Sequence, residues 1–327
     1  MAHELEISNG RAKMFYVGET PWHNLGTKLE DPPTIEDAIR CAGLDWEVER
    51  RQLFMNDGED KRTKIQVPAF ANVRKTDGSI LGVVGPTYRP LQNVDAFKWF
   101  QPLLDSGEVT LETAGCLREG RHIWILARIK RDPIYIVPND EVISFILLSN
   151  SHDGTRSVRG GFTAIRAVCA NTVAAAHSAK SSKLLKVRHT DKTTEALEDI
   201  REAMQVADRE FVATTDLMKS MARKGVDTST LKEYVRRVFE PKLVIDAEDQ
   251  EAKLDRIMEN ITPLFQKGRG NDLPGVKDTM WGAYNSLTEH FSWERGRSAD
   301  TRLENLWLGD TANLAQRAFD VAVAMAG

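Results

Sequence analysis

The chain has 327 residues, of which 41% are hydrophobic and 28% charged. This globular composition excludes a disordered chain and fits one large or two ordinary domains. Three isolated cysteines without CxxC spacing exclude a zinc ribbon or a disulfide framework, and no apolar run reaches the roughly 18 residues of a membrane span. The net charge of −4 requires any nucleic-acid binding to come from a local patch. Without an apolar signal core near the N-terminus, we expect a cytoplasmic protein without membrane contact.

The first third of the chain predicts short helices and antiparallel strands. The segment up to Pro33 is rich in turn-forming residues and predicts irregular structure. A helix is predicted from the N-cap Thr34 to Gly43. Partial alternation predicts strands in WEVERRQLFM and VPAFANVR, and KTDGSILGVVG is typical of a hairpin with DG at its tip. An apolar stripe predicts a further helix over 93–104.

The middle of the chain continues this pattern. Strands are predicted in VTLETAGCL, RHIWILARI and EVISFILLSN, the first two joined by the tight turn REG. Gly160-Gly161 predicts a break in the chain, after which AIRAVCANTVAAAHSAKS predicts an alanine-rich helix. Antiparallel strands with interspersed helices predict an α+β fold for residues 1–190.

After Thr193 the pattern becomes helical. Apolar residues from Leu197 to Met221 recur in a seven-residue repeat, which is typical of a long helix in a bundle or coiled coil. Further helices are predicted in STLKEYVRRVFE, DAEDQEAKLDRIMENI, KDTMWGAYNSLTEHF and DTANLAQRAFDVAVAM. We therefore predict a separate all-helical domain over 191–327 that serves oligomerisation or partner binding. The repeat either joins copies of the chain or packs within one chain.

The strongest electrostatic signal lies between Gly154 and Thr190, where seven Lys and Arg residues occur without one Asp or Glu. Such a stretch predicts neutralisation of nucleic-acid phosphates, and an aromatic residue within it is placed to stack on a base. The predicted nucleic-acid-binding residues are Arg121, Arg156, Arg159, Phe162, Arg166, Lys180, Lys183, Lys186 and Arg188. The alternative is a solvated basic face that balances the acidic helices of the second domain.

Signals for catalysis are weaker. The motif SHDG places His152 beside Asp153, but adjacent residues of a strand point to opposite faces, and the motif is also typical of a turn. GxxxxGK[ST], GxGxxG and HExxH do not occur. We therefore expect no catalytic residue, metal or nucleotide cofactor. A metal-dependent nucleic-acid enzyme centred on His152 and Asp153 is the alternative.

Seven motifs in fixed order resemble the phage/plasmid-like protein family, which is known only as domain-of-unknown-function family 932. They are PWHNLGT, AGLDWEVE, DGSILGVVGPTYRPLQN, AGCLREGRHIWILARI, SHDGTRSV, IRAVCANTVAAA and MWGAYNSLTEHF. The match runs from about residue 20 to the C-terminus. The resemblance implies carriage on a phage or plasmid in a bacterial host cell.

A second resemblance covers roughly residues 34–105. A helix, the strand after GLDWEVE, a polar loop, the hairpin VPAFANVRKTDGSILGVVG and another helix are similar in order to the core of Rad-fifty-two-type single-strand annealing recombinases. In that superfamily a helix leads into a three-stranded antiparallel sheet backed by a further helix, and rings of subunits hold single-stranded DNA in a basic groove. The likeness is one of element order, and no DNA-contact residue is carried over from it.

These observations favour a single-stranded DNA-binding protein of a mobile element, which forms homo-oligomers and anneals complementary strands without ATP. RNA is an alternative ligand. The alternative prediction is that the chain is an interaction protein, which modulates a host defence or replication enzyme and presents its acidic helices to that partner.

Overall fold

The computed structural model describes residues 7–8, 11–18, 26–56, 58, 63–132, 134–166, 171–173, 185–240, 247–295 and 310–327. In these residues the chain forms a large sheet, a separate three-stranded sheet and two groups of helices. Nearly all strand pairs are antiparallel, and the C-terminal part is helical. This architecture confirms the predicted α+β fold class.

The strands are β1 (Ile7–Ser8), β2 (Arg11–Ala12), β3 (Met14–Val17), β4 (Thr27–Leu29), β5 (Val48–Asn56), β6 (Lys64–Arg74), β7 (Ile80–Val84), β8 (Val109–Leu117), β9 (His122–Ile129), β10 (Ile134–Val137), β11 (Asp140–Ser151), β12 (Val158–Arg166), β13 (Asn171–Val173) and β14 (Leu185–Val187). The helices are α1 (Ile35–Cys41), α2 (Asn93–Lys98), α3 (Gln101–Asp105), α4 (Thr193–Arg223), α5 (Thr228–Phe239), α6 (Ala247–Lys267), α7 (Met280–Glu289), which continues as a π-helical turn over His290–Glu294, and α8 (Asp310–Ala326).

The large sheet has the strand order β13-β12-β11-β9-β8-β3-β4, with β10 also paired to β11 and β14 to β12. Among the strand pairs of the described residues, only β3–β4 is parallel. The small sheet has the order β5-β6-β7, and β1 and β2 form a short pair of their own. The register of β11 against β12 extends over eight residue pairs, which makes these two strands the centre of the fold.

One face of β11 and β12 carries the buried side chains that hold both groups of helices. Ile146 and Leu148 belong to a cluster that includes residues of α1, α2 and α3. Val142 and Phe162, further along the same face, belong to a second cluster formed largely by α4 to α8. A single sheet face therefore supports both the N-terminal and the C-terminal helices.

Contacts cross the predicted domain boundary near residue 190. The indole of Trp99 donates to the Leu197 carbonyl at 2.7 Å, and the indole of Trp281 donates to Asp140 Oδ2 at 2.7 Å. The change from strands to helices does fall where we predicted it, since α4 begins at Thr193. The shared buried side chains, however, argue against separate packing of the two parts.

Several local predictions are confirmed. Thr34 caps α1 by accepting from the Asp37 amide, and the strands β8, β9 and β11 match the predicted spans within one residue at each end. The β6–β7 hairpin turns at the predicted DG. In α4 the repeat residues Leu197, Met218 and Met221 are buried in the clusters of their own chain, as in the within-chain alternative.

Three local predictions are wrong. The helix over 93–104 is two helices, because α2 ends before Trp99 and α3 restarts with a proline in its first turn. Gly160-Gly161 does not break the chain, because both glycines pair with leucines of β11 inside β12. The alanine-rich helix is replaced by the end of β12 and by β13, while 167–170 and 174–184 lie outside the described residues.

The segment before Pro33 is more ordered than its turn-rich sequence predicts. β3 pairs with β8, and the side chain of Phe15 is completely buried. β4 then continues the sheet beside β3. Each strand has only three or four residues, too few to show alternation, so their order comes from pairing with distant strands.

Candidate nucleic-acid interface

Three connecting segments meet at one end of the large sheet: the turn 118–121, the loop 152–157 and the segment 188–192. The amide of His152 donates to the Arg121 carbonyl at 2.7 Å. Strand β12, which follows the loop 152–157, and strand β14, which precedes the segment 188–192, pair through Val158 and Val187. Loop ends held by a sheet are the usual place for binding residues.

The turn 118–121 has an unusual backbone. Arg118 and Glu119 have φ angles of 53° and 58°, followed by Gly120 at 84°. Two consecutive non-glycine residues in the left-handed region are uncommon and cost conformational energy. The turn places Arg121 in an exposed position at the sheet end.

An ionised carboxylate organises the loop 152–157. Asp153 Oδ2 accepts from His122 Nε2 at 3.0 Å, and Oδ1 accepts from the Thr155 amide at 2.9 Å and from the hydroxyls of Ser151 and Thr155. Burial raises the pKa of Asp153, but these hydrogen bonds outweigh it and hold the pKa below its ordinary range. Asp153 is therefore a fixed negative charge that shapes the loop.

His152 faces the interior. Its side chain is fully buried, and Nε2 donates to Asn93 Oδ1 at 2.9 Å, since the Asn93 amide group itself donates to the carbonyls of Leu44 and Trp46. Burial, with the charges of neighbouring histidines, lowers its pKa to about 3. His152 is thus neutral at neutral pH and holds the loop in place.

A second buried histidine closes the same corner. The ring of His189 stacks on Tyr88 with 4.4 Å between ring centroids, and the Tyr88 hydroxyl donates to the Ser151 carbonyl. Burial lowers the pKa of His189 to about 4. Burial, together with the charge of Asp153, raises the pKa of Tyr88 above its ordinary value.

The small sheet docks against this loop. The Asn72 amide donates to the His152 carbonyl at 2.6 Å, and a Cβ atom at Gly82 would lie 2.5 Å from the Cα of Asp153. Only a glycine fits there without a shift of backbone. The close approach fixes the small sheet relative to the end of the large one.

Basic side chains surround the loop on the side of β12 and β14. Arg159 is paired directly with Lys186, so their side chains lie on the same face. Burial, with the nearby positive charge of Arg156, lowers the pKa of Arg159. Lys186 and Arg188 are exposed. Positive charge is thus concentrated at this sheet end despite mutual repulsion.

Two further arginines were missed by the sequence reasoning. Arg50 Nη2 and Arg89 Nη1 both donate to the carbonyl of Pro86, at 3.1 and 2.9 Å. Burial and the charge of Arg89 lower the pKa of Arg50, whereas Asp191, which pairs with Arg89 at 2.7 Å, raises it. They lie far in sequence from the basic stretch, and the sequence reasoning quoted Arg89 only within the family motif DGSILGVVGPTYRPLQN.

We call these residues the basic surface: Arg50, Arg89, Arg121, Arg156, Arg159, Lys186 and Arg188. Five of them are among the nine residues predicted to bind nucleic acid. Arg166 is at the other end of β12, eight residues from Val158, so it lies about 25 Å away along the strand. Lys180 and Lys183 lie outside the described residues.

The prediction that Phe162 stacks on a base does not fit its position. Its side chain is only 9% exposed and packs in the cluster of the C-terminal helices. Strand alternation explains the difference, because Phe162 shares the inward face with Ile146, whereas Arg159 lies on the opposite face. An aromatic residue next to basic residues in sequence therefore need not share their surface.

The titratable side chains at this sheet end are largely enclosed. The side chains of His122 and Asp153 are 5% and 11% exposed, and His152 is fully buried. Within the described parts of the chain, no group of three or more His, Cys, Asp or Glu side chains is arranged to hold a metal ion. The histidines and Asp153 instead support the loop that presents the arginines.

One family of known sequences matches most of the chain. A family model described as "Domain of unknown function (DUF932)" matches residues 80–307, more than two thirds of the chain. The protein belongs to this family. The matched range includes β7, the central strands of the large sheet and the helices from α2 to α7.

Two other comparisons give no match: no curated protein and no solved structure is similar to the chain. None of the helices in the described ranges combines the length and apolar character that crossing a membrane requires.

Proposed function

We propose that this protein binds single-stranded DNA through the basic surface at the end of the large sheet. The observation that carries the proposal is the convergence of arginines from separate parts of the chain, with Arg50 and Arg89 donating to one carbonyl. Asp191 compensates the charge of Arg89 within the chain, and the other positive charges of the basic surface repel one another unless an anion binds there. A polyanionic backbone is a ligand of the matching kind.

The rigidity of the supporting residues favours binding rather than catalysis. Three side chains hold the loop 152–157 and the preceding Ser151 in place. Asn72 and Tyr88 donate to the carbonyls of His152 and Ser151, and Asn93 accepts from the His152 ring. Phosphate contacts need correctly placed cations and no proton transfer, and the guanidinium group suits them because it stays charged at neutral pH.

The order of elements over residues 34–105 also supports the proposal. Helix α1, the antiparallel sheet β5-β6-β7 and helix α2 follow one another as the resemblance to annealing recombinases implies. This likeness is limited to element order, so strand annealing, self-association and carriage on a phage or plasmid are finer parts of the proposal. Annealing would appear as faster pairing of complementary oligonucleotides in the presence of the protein.

Charge removal tests the proposal. Substitution of the exposed residues Arg121, Lys186 and Arg188 by Gln deletes three positive charges from the basic surface. Affinity for a labelled dT20 oligonucleotide, measured by fluorescence anisotropy between 50 and 300 mM NaCl, should fall. The slope of log affinity against log salt should flatten by about 2, because each phosphate contact on a single strand contributes about 0.7.

A matched control removes three charges elsewhere. Lys253, Arg256 and Lys267 are exposed on α6, and their substitution by Gln changes the net charge equally. This variant should keep the salt slope of the wild type. If both triple variants bind dT20 as the wild type does, or if the wild type does not bind at low salt, the proposal is wrong.

A second candidate function, as an interaction protein, is favoured by the outer face of the small sheet. Strand pairing places four apolar side chains on this face, and each is between 45% and 61% exposed: Met55, Ile65, Ile80 and Val83. Met55 pairs with Ile65, while Ile80 and Val83 lie on β7 opposite the other end of β6, and exposed apolar patches of this kind mark interaction surfaces. A second copy of this chain would cover the face with the same residues.

The double substitution Ile80→Lys with Val83→Lys tests this candidate. Sedimentation velocity at micromolar concentration should show an oligomer for the wild type and a monomer for the variant. A wild-type protein that is monomeric with and without dT20 excludes a second copy as the occupant of this face.

A further inference from the structure

The inner face of the small sheet extends beyond the body of the protein. Alternation along β5 places Arg50, Gln52 and Phe54 on one face. Arg50 pairs with Asn72, whose amide reaches the loop of the large sheet, so this is the face that points toward the basic surface. At its outer part Phe54 is 55% exposed.

Contacts connect this face to the arginines. The guanidinium of Arg50 lies 4.0 Å from the centroid of the Phe70 ring, and Phe70 is paired with Gln52, the neighbour of Phe54 on the same face. Arg50 also donates to the Pro86 carbonyl that Arg89 shares. The inner face thus leads directly from the exposed aromatic ring to two adjacent positive charges.

The hairpin that carries Phe54 is held in a defined shape. β6 has a bulge opposite Leu53, and Gln52 Nε2 lies within hydrogen-bonding distance of the carbonyls of Leu53, Val67 and Ala69. Gln66, the pairing partner of Phe54, donates to Gln52 Oε1 at 3.0 Å. Because the main chain that carries Phe54 is held in place, little backbone entropy is lost when a ligand covers the ring.

We propose that Phe54 stacks on a base of a single strand whose phosphates bind Arg50 and Arg89. The inference rests on the proposed function and assigns its base contact. The charge of the arginines selects a polyanion, and an exposed aromatic ring is the group on which unpaired bases stack. In duplex DNA the base faces are covered by their neighbours, so this contact favours single strands.

Two other exposed residues serve as controls for the substitution of Phe54. Met55 follows Phe54 on the same hairpin, is 56% exposed and lies on the outer face. Tyr135 is an aromatic residue that is 50% exposed, but β10 pairs with the start of β11, the end of that strand away from the loop 152–157. Neither side chain is placed to contact a strand bound at the basic surface.

Binding of dT20 to the full chain tests the inference. Phe54→Ala should weaken binding by about 5- to 140-fold, the loss expected for one stacked base, without change of the salt slope. Met55→Ala and Tyr135→Ala should bind as the wild type. Phe54→Trp should retain affinity, and the added indole fluorescence should be quenched when dT20 binds.

An abasic deoxyribose-phosphate oligonucleotide of the same length separates base from phosphate contacts, because Phe54→Ala and the wild type should bind it equally. If Phe54→Ala binds dT20 like the wild type while the triple Gln variant is weakened, stacking at Phe54 is wrong and the proposed function stands. If Met55→Ala is equally weakened, disruption of the hairpin explains the loss and the inference fails. If the wild type does not bind dT20, both proposals fail.

Discussion

The two sheets of this protein use the same residue types for opposite purposes. The large sheet buries apolar side chains on both faces, with Trp124 and Leu147 on one and Ile146 and Leu148 on the other. The small sheet exposes apolar side chains on both faces of its protruding hairpin. Strand-forming residues therefore define a core in one sheet and an accessible surface in the other.

Two phenylalanines make this difference measurable. Phe162 of the large sheet is buried among residues of the C-terminal helices, whereas Phe54 of the small sheet is more than half exposed. The same truncation should therefore affect stability at one position and ligand binding at the other.

The largest effect on stability is expected for Phe162→Ala. Removal of this ring leaves a cavity where the sheet meets the helices, and the free energy of unfolding should fall by about 3–5 kcal/mol. Urea unfolding followed by circular dichroism measures the loss. Phe54→Ala, the matched control, should change stability by less than about 0.5 kcal/mol. Equal losses for the two variants would contradict the contrast between the sheets.

Acid should weaken the junction between the sheets. The pKa values of His152 and His189 are lowered to about 3 and about 4, while both are about 6.5 in an unfolded chain. Between pH 6.5 and pH 4 the unfolded chain binds protons that the folded chain does not. Stability is therefore complete above about pH 6.5 and falls as the pH is lowered, by about 2 kcal/mol for each histidine between pH 7 and pH 5.

The variant His189→Phe isolates one of these contributions, because it keeps a ring to stack on Tyr88 and removes the titrating group. The decrease of unfolding free energy between pH 7 and pH 5 should be smaller than that of the wild type by about 2 kcal/mol, the share of His189. The low pKa of Asp153 lowers the free energy of unfolding further only below about pH 4, where this carboxylate is protonated in the unfolded chain. A pH dependence that is unchanged in the variant would show that His189 is not buried in its neutral form.

A smaller effect is expected where the sheets touch. Gly82→Ala places a Cβ atom against the main chain of Asp153, and the free energy of unfolding should fall by about 1–3 kcal/mol. Gly85→Ala is the control, since a Cβ atom there meets nothing within 4 Å. Urea unfolding of both variants measures the difference between their free energies of unfolding. A Gly82→Ala protein as stable as Gly85→Ala would mean that the small sheet is free to move away.

Features encoded within about ten neighbouring residues were predictable from the sequence. The strands β8 and β9 with their tight turn, the Thr34 cap and the long helix α4 all follow from local periodicity and capping residues. For the candidate site, the local excess of positive charge predicted Arg156, Arg159, Lys186 and Arg188, and Arg121 was predicted to add to the same surface.

Features that depend on distant partners were not predictable. β12 runs through two glycines because β11 supplies its hydrogen bonds, and residues 164–166 and 171–173 of the alanine-rich run form strands because they pair with each other. Arg50 joins the basic surface because the small sheet docks on the loop 152–157, and Arg89 joins it because its side chain pairs with Asp191 and its amide donates to the His189 carbonyl. The exposure of Phe54 depends on where the small sheet ends, which one sequence does not reveal.

The pairing of β3 also has a consequence for how the chain folds during synthesis. The hydroxyl of Thr113 donates to the carbonyl of Phe15, 98 positions earlier in the chain. The ribosome therefore releases β3 long before β8 exists, and the edge of the apolar run MFYV that later pairs with β8 stays unpaired until then. Closure of such a long loop slows folding and leaves the waiting segment open to chaperones. The β8–β9 hairpin should form before β3 adds to its edge, so substitutions in β3 should accelerate unfolding more than they slow refolding.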